Sequence, residues 1–264
     1  MHPICLHGKD EIEQILRQDV FLHLYEIGDL DDLFWPHTTW YTLKQKGCRP
    51  VLLLYTGLSL PTLLALTQEP LGAMKELILS AIPLLPKRLY AHLGEGLSEL
   101  FEKIYQVQSH GIFHKMGLTD PSKIDAVDTS QVVHLSEVDL ADMQRLYQDS
   151  YPEHWFEPHM IESGYYFGVR RNSNLVCVAG VHVYSKTYKV ATLGNVATHP
   201  RFRGQGLAKA ACAKLCQSLL PTADHIGLNV KADNTSAIVC YQRLGFEPLA
   251  LYEECMLEMK RKRA

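Results

Sequence analysis

The chain has 264 residues, of which 47% are hydrophobic and 21% charged, and its formal net charge is −3. This length fits one large domain or two small ones, and the composition is typical of a globular protein with a well-filled core. The acidic balance argues against a nucleic-acid-binding protein, whose surface is strongly basic. The most apolar stretch, residues 51–66, is interrupted by Gly57 and Pro61 and is too short for a transmembrane helix. We therefore expect no nucleic-acid partner and no membrane insertion, while the composition leaves the oligomeric state open.

The first half of the chain alternates between strand-like and helix-like segments. Its apolar pattern predicts a helix at 11–18, strands at 40–43, 50–55 and 61–67, a helix at 73–82, a strand at 88–92, a helix at 97–104 and an extended segment at 106–116. A polar stretch from Thr119 to Ser130 follows and is the best candidate for a linker.

The second half has a clearer pattern, with the predicted order β-α-α-β-β-β-α-β-α-β-β. After a short strand at 131–135, Ser136 and Asp139 resemble a capping box that opens a helix ending near Tyr151. Next come a short helix and loops at 151–164, followed by strands at 165–170, 175–184 and 188–198, with a turn at 172–174. The chain then continues with a helix from Leu207 to Leu219 and a strand at 226–230. The last predicted elements are a helix capped by Asn234 and ended by Gly245, and closing strands from Phe246.

The seven cysteines are scattered, and none forms a CxxC pair. Cys212 and Cys216 are four residues apart on a predicted helix. No His or Cys follows them at zinc spacing, so apolar packing is favoured over metal binding. Free thiols without a disulfide framework indicate a reducing compartment, and the N-terminus lacks the basic and apolar regions of a signal peptide. We expect a cytoplasmic protein without a metal site.

Between a strand and a helix the chain reads HPRFRGQG, from His199 to Gly206. The first N–H groups of a helix lack backbone partners and carry the positive end of its dipole, and glycines let a ligand approach the backbone closely. Arg201, Arg203 and Lys209 add cations suited to phosphate. This segment predicts either an anion site or a simple turn with solvated arginines. Lys209 stands where a dinucleotide fingerprint needs its third glycine, and no GK[ST] is present, so Rossmann and Walker loops are excluded.

A second motif favours the anion site. From Leu228 the chain reads LNVKADNTSAIVCYQRLGFEP, and with the R-x-x-G-x-G loop that starts at Arg201 it resembles the GNAT acyltransferase superfamily. The stretch G-N-V-x-T-H-P, from Gly194 to Pro200, is most similar to the glycine N-acyltransferase-like branch. The resemblance covers residues 131–259. It implies an α/β fold with a mixed (α+β) sheet, and acetyl-CoA or another coenzyme A thioester as co-substrate.

The resemblance also implies where coenzyme A is held. Loop amides would bind the pyrophosphate, and the pantetheine arm would lie in a splay between strands 188–198 and 226–230. Asn234 would contact the coenzyme as well as cap its helix. The implied coenzyme-binding residues are Val196, Ala197, Thr198, Arg201, Phe202, Arg203, Gly204, Gln205, Gly206, Leu207, Ala208, Asn229, Asn234 and Tyr241. Ordinary sheet pairing is the alternative role for Val196 and Thr198.

Three residues are candidates for the chemistry. Tyr241 matches the family tyrosine that protonates the leaving thiolate, a role open to a phenol with a pKa near 10; its alternative role is core packing. Many relatives carry a glutamate base on the strand before the loop, where this chain has Asn195. An amide cannot act as a base, but it could position a water or the acceptor. His182, on the preceding strand, is a candidate base, with a satisfied polar side chain as the alternative.

The aromatic stretch at 151–164 is expected to wall the acceptor site. Its titratable residues supply further candidate bases, namely Glu153, His154, Glu157 and His159. Flat side chains around the stretch predict either an acceptor pocket or a packed helix–sheet contact, namely Tyr151, Trp155, Tyr165 and Tyr166.

The first half resembles a degenerate copy of the same fold, because its segment at 68–72 lacks the second glycine and the arginine. We expect residues 1–125 to form a degenerate GNAT-like domain and residues 131–264 the catalytic N-acetyltransferase domain. The implied activity is transfer of an acetyl or short acyl group from coenzyme A to an amine, with a small-molecule acceptor favoured. The alternatives are a non-enzymatic acyl-CoA sensor and a protein N-acetyltransferase.

Overall fold

The structure is a computed structural model that describes residues 2–44, 49–68, 71–152 and 156–261. It divides into two compact units. Unit 1 comprises Met1–Lys115, Lys231–Asp233 and Leu249–Ala264, and unit 2 comprises Met116–Val230 and Asn234–Pro248. The C-terminal residues from Leu249 thus belong with the N-terminal unit, whereas the sequence groups them with the second half. The assignment of a degenerate and a catalytic half stays a prediction.

Unit 1 contains a mixed sheet with the strand order β1-β2-β3-β4-β5-β12-β6. The strands are β1 Ile4–Leu6, β2 Thr38–Thr42, β3 Val51–Tyr55, β4 Thr62–Ala65, β5 Arg88–Gly94, β6 Tyr105–Leu118 and β12 Phe246–Met259. The helices are α1 Lys9–Leu16, α2 Leu24–Gly28 and α3 Leu71–Ala81, with 3-10 helices at Arg17–Asp19, Trp35–His37, Ile82–Leu84 and Ser98–Phe101. β4 and β5 run parallel because α3 crosses between them, as parallel neighbours require.

The elements predicted for the first half are confirmed except at one place. The segment predicted as a helix at 97–104 forms only the 3-10 helix Ser98–Phe101. Gly96, with φ 75°, turns the chain just before it, and Tyr105 already enters β6, so too few residues remain for an α-helix. The pattern also missed β1 and α2, which are short elements with three and five residues.

A group of charged side chains is buried inside unit 1. Glu26 and Lys115 are each only 2% exposed. The Lys115 Nζ atom lies 4.9 Å from the ring centroid of Tyr25 and 5.2 Å from that of Tyr252. Among the described side chains, neither Lys115 Nζ nor Glu26 Oε2 has a hydrogen-bond partner. The carboxylate of Glu254 accepts hydrogen bonds of 2.5 Å from the hydroxyls of Tyr90 and Tyr252.

For Glu26 and Lys115, burial and the neighbouring charges shift the pKa in opposite directions. Burial alone would raise the pKa of Glu26, but His23 and Lys115 lower it below its ordinary value. Burial lowers the pKa of Lys115, although Glu26 and Glu254 oppose this effect. Burial, followed by the charge of Glu26, raises the pKa of Asp29 well above its ordinary value. Asp29 also caps the C-terminal end of α2, where the helix dipole is negative and disfavours a carboxylate.

The strands of unit 2 follow the order β11-β10-β9-β8-β7 and include both parallel and antiparallel pairs. The strands are β7 Val132–His134, β8 Phe167–Arg171, β9 Asn174–Ser185, β10 Val190–Thr198 and β11 His225–Lys231. The helices are α4 Ser122–Asp125, α5 Leu140–Ser150, α6 Leu207–Leu219 and α7 Thr235–Gln242, with 3-10 helices at Glu137–Asp139, Pro158–Ser163 and Pro200–Phe202. β10 and β11 run parallel and the other pairs antiparallel, which confirms the predicted α/β fold with a mixed sheet.

Local sequence signals explain several boundaries in unit 2. Ser136 and Asp139 form the predicted capping box, with Ser136 N donating to Asp139 Oδ2 at 2.9 Å. Asn172 and Ser173 both adopt positive φ in the tight turn between β8 and β9, as predicted. The 3-10 helix Pro158–Ser163 replaces the short α-helix expected in the aromatic stretch.

The end of the chain differs from the prediction of two closing strands. Residues from Phe246 to Met259 form the single strand β12, which continues through Pro248 and pairs with β5 from Tyr252 to Glu258. Gly245 precedes it with φ 94°, and a Cβ there would lie 2.0 Å from the Asp120 carbonyl oxygen, so only glycine fits. Among the described residues, none of the helices has the length and apolar composition needed to cross a bilayer.

Candidate functional site

The parallel ladder between β10 and β11 ends several residues before the glycine loop, which starts at His199. Their parallel ladder runs from the pair Val190 and His225 to the pair Leu193 and Leu228, and it ends there. β10 stays paired with β9 on its other side, up to Thr198 opposite Cys177, with an irregularity between Gly194 and Ala197. The predicted splay between the two strands is therefore present in unit 2. In unit 1 the corresponding parallel ladder of β4 and β5 reaches the last residue of β4, Ala65.

The glycine loop leads directly into α6. Gly204 and Gly206 adopt φ values of 76° and 77°, and an added Cβ at either would meet nothing within 4 Å. These glycines are therefore required by backbone conformation and not by a lack of space. Within the described residues, the amides from Gly204 to Lys209 donate no hydrogen bond, and the first internal bond of the turn runs from Ala210 N to Gly206 O. Six consecutive free N–H groups thus stand at the positive end of a 13-residue helix.

The three cations of the loop differ in their roles. Arg203 donates from Nε to the Thr198 carbonyl at 3.2 Å and from Nη2 to the Ser150 carbonyl at 3.3 Å. Its guanidinium thus braces the loop against the ends of β10 and α5. Arg201 is exposed, and Lys209 lies on the first turn of α6. These two cations are the ones left to attract an anion.

The remaining predicted binding residues lie around the splay. Val196 and Thr198 are partly buried on the diverging part of β10, and Thr198 Oγ1 donates to Cys177 Sγ at 3.3 Å. The Thr198 carbonyl already accepts the Arg203 bond. Asn229 lies on β11 just beyond the end of the ladder. The other predicted positions, Ala197, Phe202, Gln205, Leu207 and Ala208, lie on β10 or between Thr198 and the first turn of α6.

Asn234 caps α7, as its sequence position predicts. Its Oδ1 accepts hydrogen bonds from Ala237 N at 3.2 Å and from Ser236 Oγ at 3.1 Å. The capping role is therefore confirmed, and the contact with coenzyme stays a prediction.

Tyr241 on α7 packs in the core of unit 2, with its ring 6.1 Å from that of Phe246. Burial, followed by the neighbouring thiols of Cys212, Cys240 and Cys177, raises its pKa well above the ordinary value. The phenol is thus neutral across the physiological range and retains a proton to donate. The Tyr241 side chain combines core packing with the properties of a proton donor.

Asn195 occupies the irregular segment of β10, with φ 52° and only 5% exposure. Its Nδ2 donates to the Tyr166 hydroxyl at 3.0 Å, and its backbone carbonyl accepts from the Tyr147 hydroxyl at 2.8 Å. Among the described atoms, Oδ1 of Asn195 is buried without a hydrogen-bond partner. Positive φ is uncommon for residues other than glycine and is found often at functional sites.

His182 lies on β9 against Gly194. It is the extra residue where the register shifts between Val181 opposite Leu193 and Val183 opposite Thr192. A Cβ on Gly194 would lie 2.3 Å from the His182 ring, so the glycine leaves room for this imidazole. The side-chain nitrogen of Asn195 is directed to the Tyr166 hydroxyl and the Met160 sulfur.

Two of the four candidate bases in the aromatic stretch lie within the described residues. Glu153 and His154, like Trp155, lie outside the described residues. His159 and Glu157 are well exposed and face each other at 3.4 Å, between Nδ1 and Oε2. In the described part of the chain, no group of three or more His, Cys, Asp or Glu side chains is arranged to hold a metal ion.

Of the four predicted flat side chains, the three that the structure describes have separate surroundings. Tyr166 is fully buried beside Phe156, at 5.5 Å between ring centroids, whereas Tyr165 forms a tilted pair with Tyr184, with 4.5 Å between ring centroids. Adjacent residues entering a strand point to opposite sides of the sheet, which explains the separation. Tyr151 is exposed. A surface depression of about 400 Å³ exists in unit 2, but its lining from His134 to Val138 and at Ile161, Glu162 and Gly164 contains none of the predicted site residues.

Sequence reasoning named Tyr166 as a candidate pocket wall but missed its bond to Asn195. It also missed the other residues that support Asn195, namely Tyr147, Met160 and Gly180. Gly180 was a detectable signal, because an isolated glycine inside a strand often marks the close approach of another group.

Comparisons with known proteins agree with this architecture. Residues 133–246 match the model of the acetyltransferase (GNAT) family. No curated protein sequence matches the chain. A solved Drosophila melanogaster protein is similar with a TM-score of 0.70 at 12% identity, over 97% of this chain and 98% of that chain.

Two further solved structures are similar. One, described as an acetyltransferase of the GNAT family from Novosphingobium aromaticivorans DSM 12444, has a TM-score of 0.58 at 20% identity, over 80% of this chain and 89% of that chain. The other, a tandem GNAT protein from the clavulanic acid biosynthesis pathway, has a TM-score of 0.52 at 14% identity, over 100% of this chain and 99% of that chain. At these identities the similarity establishes the fold.

Proposed function

We propose, from the match of residues 133–246 to the acetyltransferase (GNAT) family, that the chain is an N-acyltransferase. It transfers an acetyl or short acyl group from coenzyme A directly to an amine. The observation that carries this proposal is the row of free amides from Gly204 to Lys209 at the start of α6, next to the end of the β10–β11 ladder. Such a helix start suits a pyrophosphate, and the diverging strands leave backbone groups available to an extended arm.

Different groups of the protein would bind different parts of coenzyme A. The loop amides, with Arg201 and Lys209, would hold the pyrophosphate, while Arg203 keeps the loop in shape through its bonds to Thr198 and Ser150. Thr198 and Asn229 lie beside the splay. The bound thioester supplies an acyl carbon open to attack by an amine.

Tyr241 is the proposed proton donor to the leaving sulfur. The amine nitrogen bonds to the acyl carbon, the carbon–sulfur bond breaks, and sulfur takes the electron pair and a proton from the phenol. The nitrogen releases one proton to solvent, from which the phenolate is reprotonated. Because thiols have a pKa near 8.5 and Tyr241 is a weaker acid than an ordinary phenol, this donation is uphill by at least about 2 kcal/mol. That difference is small compared with the barrier of a typical enzymatic step.

The proposed acceptor is a small-molecule amine, with no nucleic acid or membrane partner. The net charge of −3 disfavours an anionic polymer such as nucleic acid as the partner. The six cysteines that the structure describes are all free, which supports a cytoplasmic location.

We also propose that the chain contains two GNAT-like halves, of which the first does not bind coenzyme A. Each unit has an antiparallel run of strands followed by a parallel pair with a helix between them. β4 ends together with its parallel ladder at Ala65, whereas β10 continues beyond its ladder to Thr198, so unit 1 lacks the strand segment that would pair with the pantetheine arm. The tandem GNAT protein that covers the chain is consistent with this division.

Calorimetric titration with acetyl-CoA tests the proposal, with Gly206→Lys and Gly206→Glu as a matched pair. Both variants place a side chain at φ 77° and share the backbone strain of about 1–2 kcal/mol, but they differ in charge. We expect one acetyl-CoA per wild-type chain, weaker binding by the Lys variant and no binding by the Glu variant. Loss of thioester absorbance with a panel of amines then reports turnover. Absence of binding by the wild type would overturn the proposal.

Asn195 in place of a glutamate base favours a second candidate, a non-enzymatic acyl-CoA sensor. A sensor would bind acetyl-CoA in the same titration and acetylate no amine. Acetylation of a peptide N-terminus, and of no small amine, would instead indicate a protein N-acetyltransferase.

A further inference from the structure

The side-chain amide of Asn195 is held in one orientation by a short relay of hydrogen bonds. The Tyr166 hydroxyl donates to the Val181 carbonyl at 3.1 Å, so it is left as an acceptor for Asn195 Nδ2 at 3.0 Å. The sulfur of Met160, a weak acceptor, lies 3.5 Å from the same nitrogen. Both neighbours require the amide nitrogen on their side, and the Oδ1 oxygen therefore points away from them.

This oxygen is unusual because it is buried and has no donor among the described residues. A buried acceptor without a partner costs about 1–3 kcal/mol, and most native proteins avoid it. The backbone of Asn195 is fixed as well, by the Tyr147 bond to its carbonyl and by its position in the irregular part of β10. The residue cannot turn its oxygen toward a protein donor without breaking these bonds.

We propose that Asn195 Oδ1 accepts a hydrogen bond from the N–H of the acceptor amine, and that Tyr166 is the positioning residue that aims it. The inference rests on the proposed function and identifies how its acceptor is recognised. The surroundings of Asn195 are apolar, with Phe156 and Ile161 in the same buried cluster as Tyr166. Desolvation there disfavours an ammonium ion, so the acceptor reacts as a free amine whose lone pair is directed by its bond to Oδ1.

Gly180 completes the arrangement by making room for Tyr166. A Cβ at Gly180 would lie 2.1 Å from the Tyr166 ring, so the tyrosine fits only over a glycine. With the ring against Gly180, the Tyr166 hydroxyl can bond both to the Val181 carbonyl and to Asn195. Tyr166 acts on the substrate only through Asn195.

Kinetics of Asn195→Ala, Tyr166→Phe and the double variant test this inference, with acetyl-CoA binding measured separately by calorimetry. The amine probes are glycine, a polyamine, an arylalkylamine and a short peptide with a free N-terminus. We expect each single variant to lower kcat/KM for the amine about tenfold, the value of one hydrogen bond, with acetyl-CoA affinity unchanged. The double variant should be no slower than Asn195→Ala, because Tyr166 works through Asn195. Tyr184→Phe, which removes another hydroxyl from unit 2, should keep wild-type kinetics.

Thermal unfolding of each variant separates a folding defect from a positioning defect, and Asn195→Ser provides a smaller change at the same place. An unchanged kcat/KM in folded Asn195→Ala, or fully additive losses in the double variant, would overturn the inference. Acetyl-CoA binding without acetylation of any amine would overturn it too, because it requires an amine acceptor. If the wild type binds no acetyl-CoA, the proposed function itself fails.

Discussion

Gly180 and Gly194 stand directly opposite each other on β9 and β10, and each lies beneath an aromatic ring. Tyr166 covers Gly180, and His182 covers Gly194. The two neighbouring strands thus each have a glycine at this pair, which leaves space for the phenol of Tyr166 and the imidazole of His182. Both rings lie next to the irregular segment of β10 that contains Asn195.

Alanine at either glycine should destabilise unit 2. The new methyl group would meet ring atoms at 2.1 Å for Gly180→Ala and 2.3 Å for Gly194→Ala, and neither ring is the free end of a flexible chain. Overpacking of this kind costs about 1–3 kcal/mol of unfolding free energy, measurable by denaturant titration. Gly72→Ala is the matched control. It lies in α3 with nothing within 4 Å of the new Cβ, so it should stabilise the protein by about 0.5–1 kcal/mol. Equal effects at all three positions would contradict this explanation.

Tyr241→Phe should lower kcat about 100-fold while the dissociation constant of acetyl-CoA stays the same. The substitution keeps the ring in the core and removes only the proton that the thiolate needs, and general acid catalysis contributes about 10²–10⁴-fold. Because burial raises the Tyr241 pKa above 10, we also expect no loss of wild-type rate from this group up to pH 10. A variant with wild-type kcat would show that Tyr241 serves only the core.

The elements of both units follow largely from local sequence signals. Three short sequence patterns each favour one local conformation, and the structure contains all three. They are the capping box at Ser136 and Asp139, the turn at Asn172 and Ser173 and the helix cap at Asn234. The glycine loop was predicted for the same reason. Local signals failed where tertiary context decides, as in the C-terminal strand that pairs with β5 far away in the sequence.

The candidate site shows the same limit. The motif at Tyr241 and Gly206 identifies positions but not neighbours, so the Tyr166 bond to Asn195 could not be inferred from a residue 29 positions earlier in the chain. The flat side chains around the aromatic stretch predicted either a pocket or a packed helix–sheet contact, because composition does not reveal which face of the sheet each ring occupies. Tyr165 and Tyr166 lie on opposite faces in the structure.

Lys115→Met should destabilise unit 1 by less than the cost of breaking a direct buried ion pair, about 3–5 kcal/mol, because Lys115 Nζ makes no hydrogen bond to Glu26 within the described residues. Methionine keeps much of the length of the side chain but removes one of the two neighbours that lower the pKa of buried Glu26, and His23 remains. The double variant Lys115→Met/Glu26→Gln removes both charges and should be more stable than Lys115→Met alone. Denaturant titration of the single and double variants measures this coupling. A double variant that is less stable than Lys115→Met would argue against a charge pairing.

Asp29→Asn should stabilise the protein at neutral pH. The folded state raises the pKa of Asp29 above its ordinary value of 3.8, so between these two values the folded chain binds more protons than the unfolded chain. In that window the contribution of Asp29 to stability falls by about 1.4 kcal/mol per pH unit as the pH rises. The variant has no such loss. Its advantage over wild type should vanish near pH 3 and grow above pH 4 in thermal or denaturant unfolding, and a pH-independent difference would contradict the assignment.

The position of β12 also affects how the chain is made. β5 is synthesised well before its partner in β12, because it pairs with residues from Tyr252 to Glu258. Until those residues have been made, β5 exposes an unpaired edge that contains Leu and Tyr, the kind of surface that associates with other chains. The sheet of unit 1 should therefore be completed only after Glu258 has emerged, and a nascent chain stalled before residue 249 should depend on chaperones.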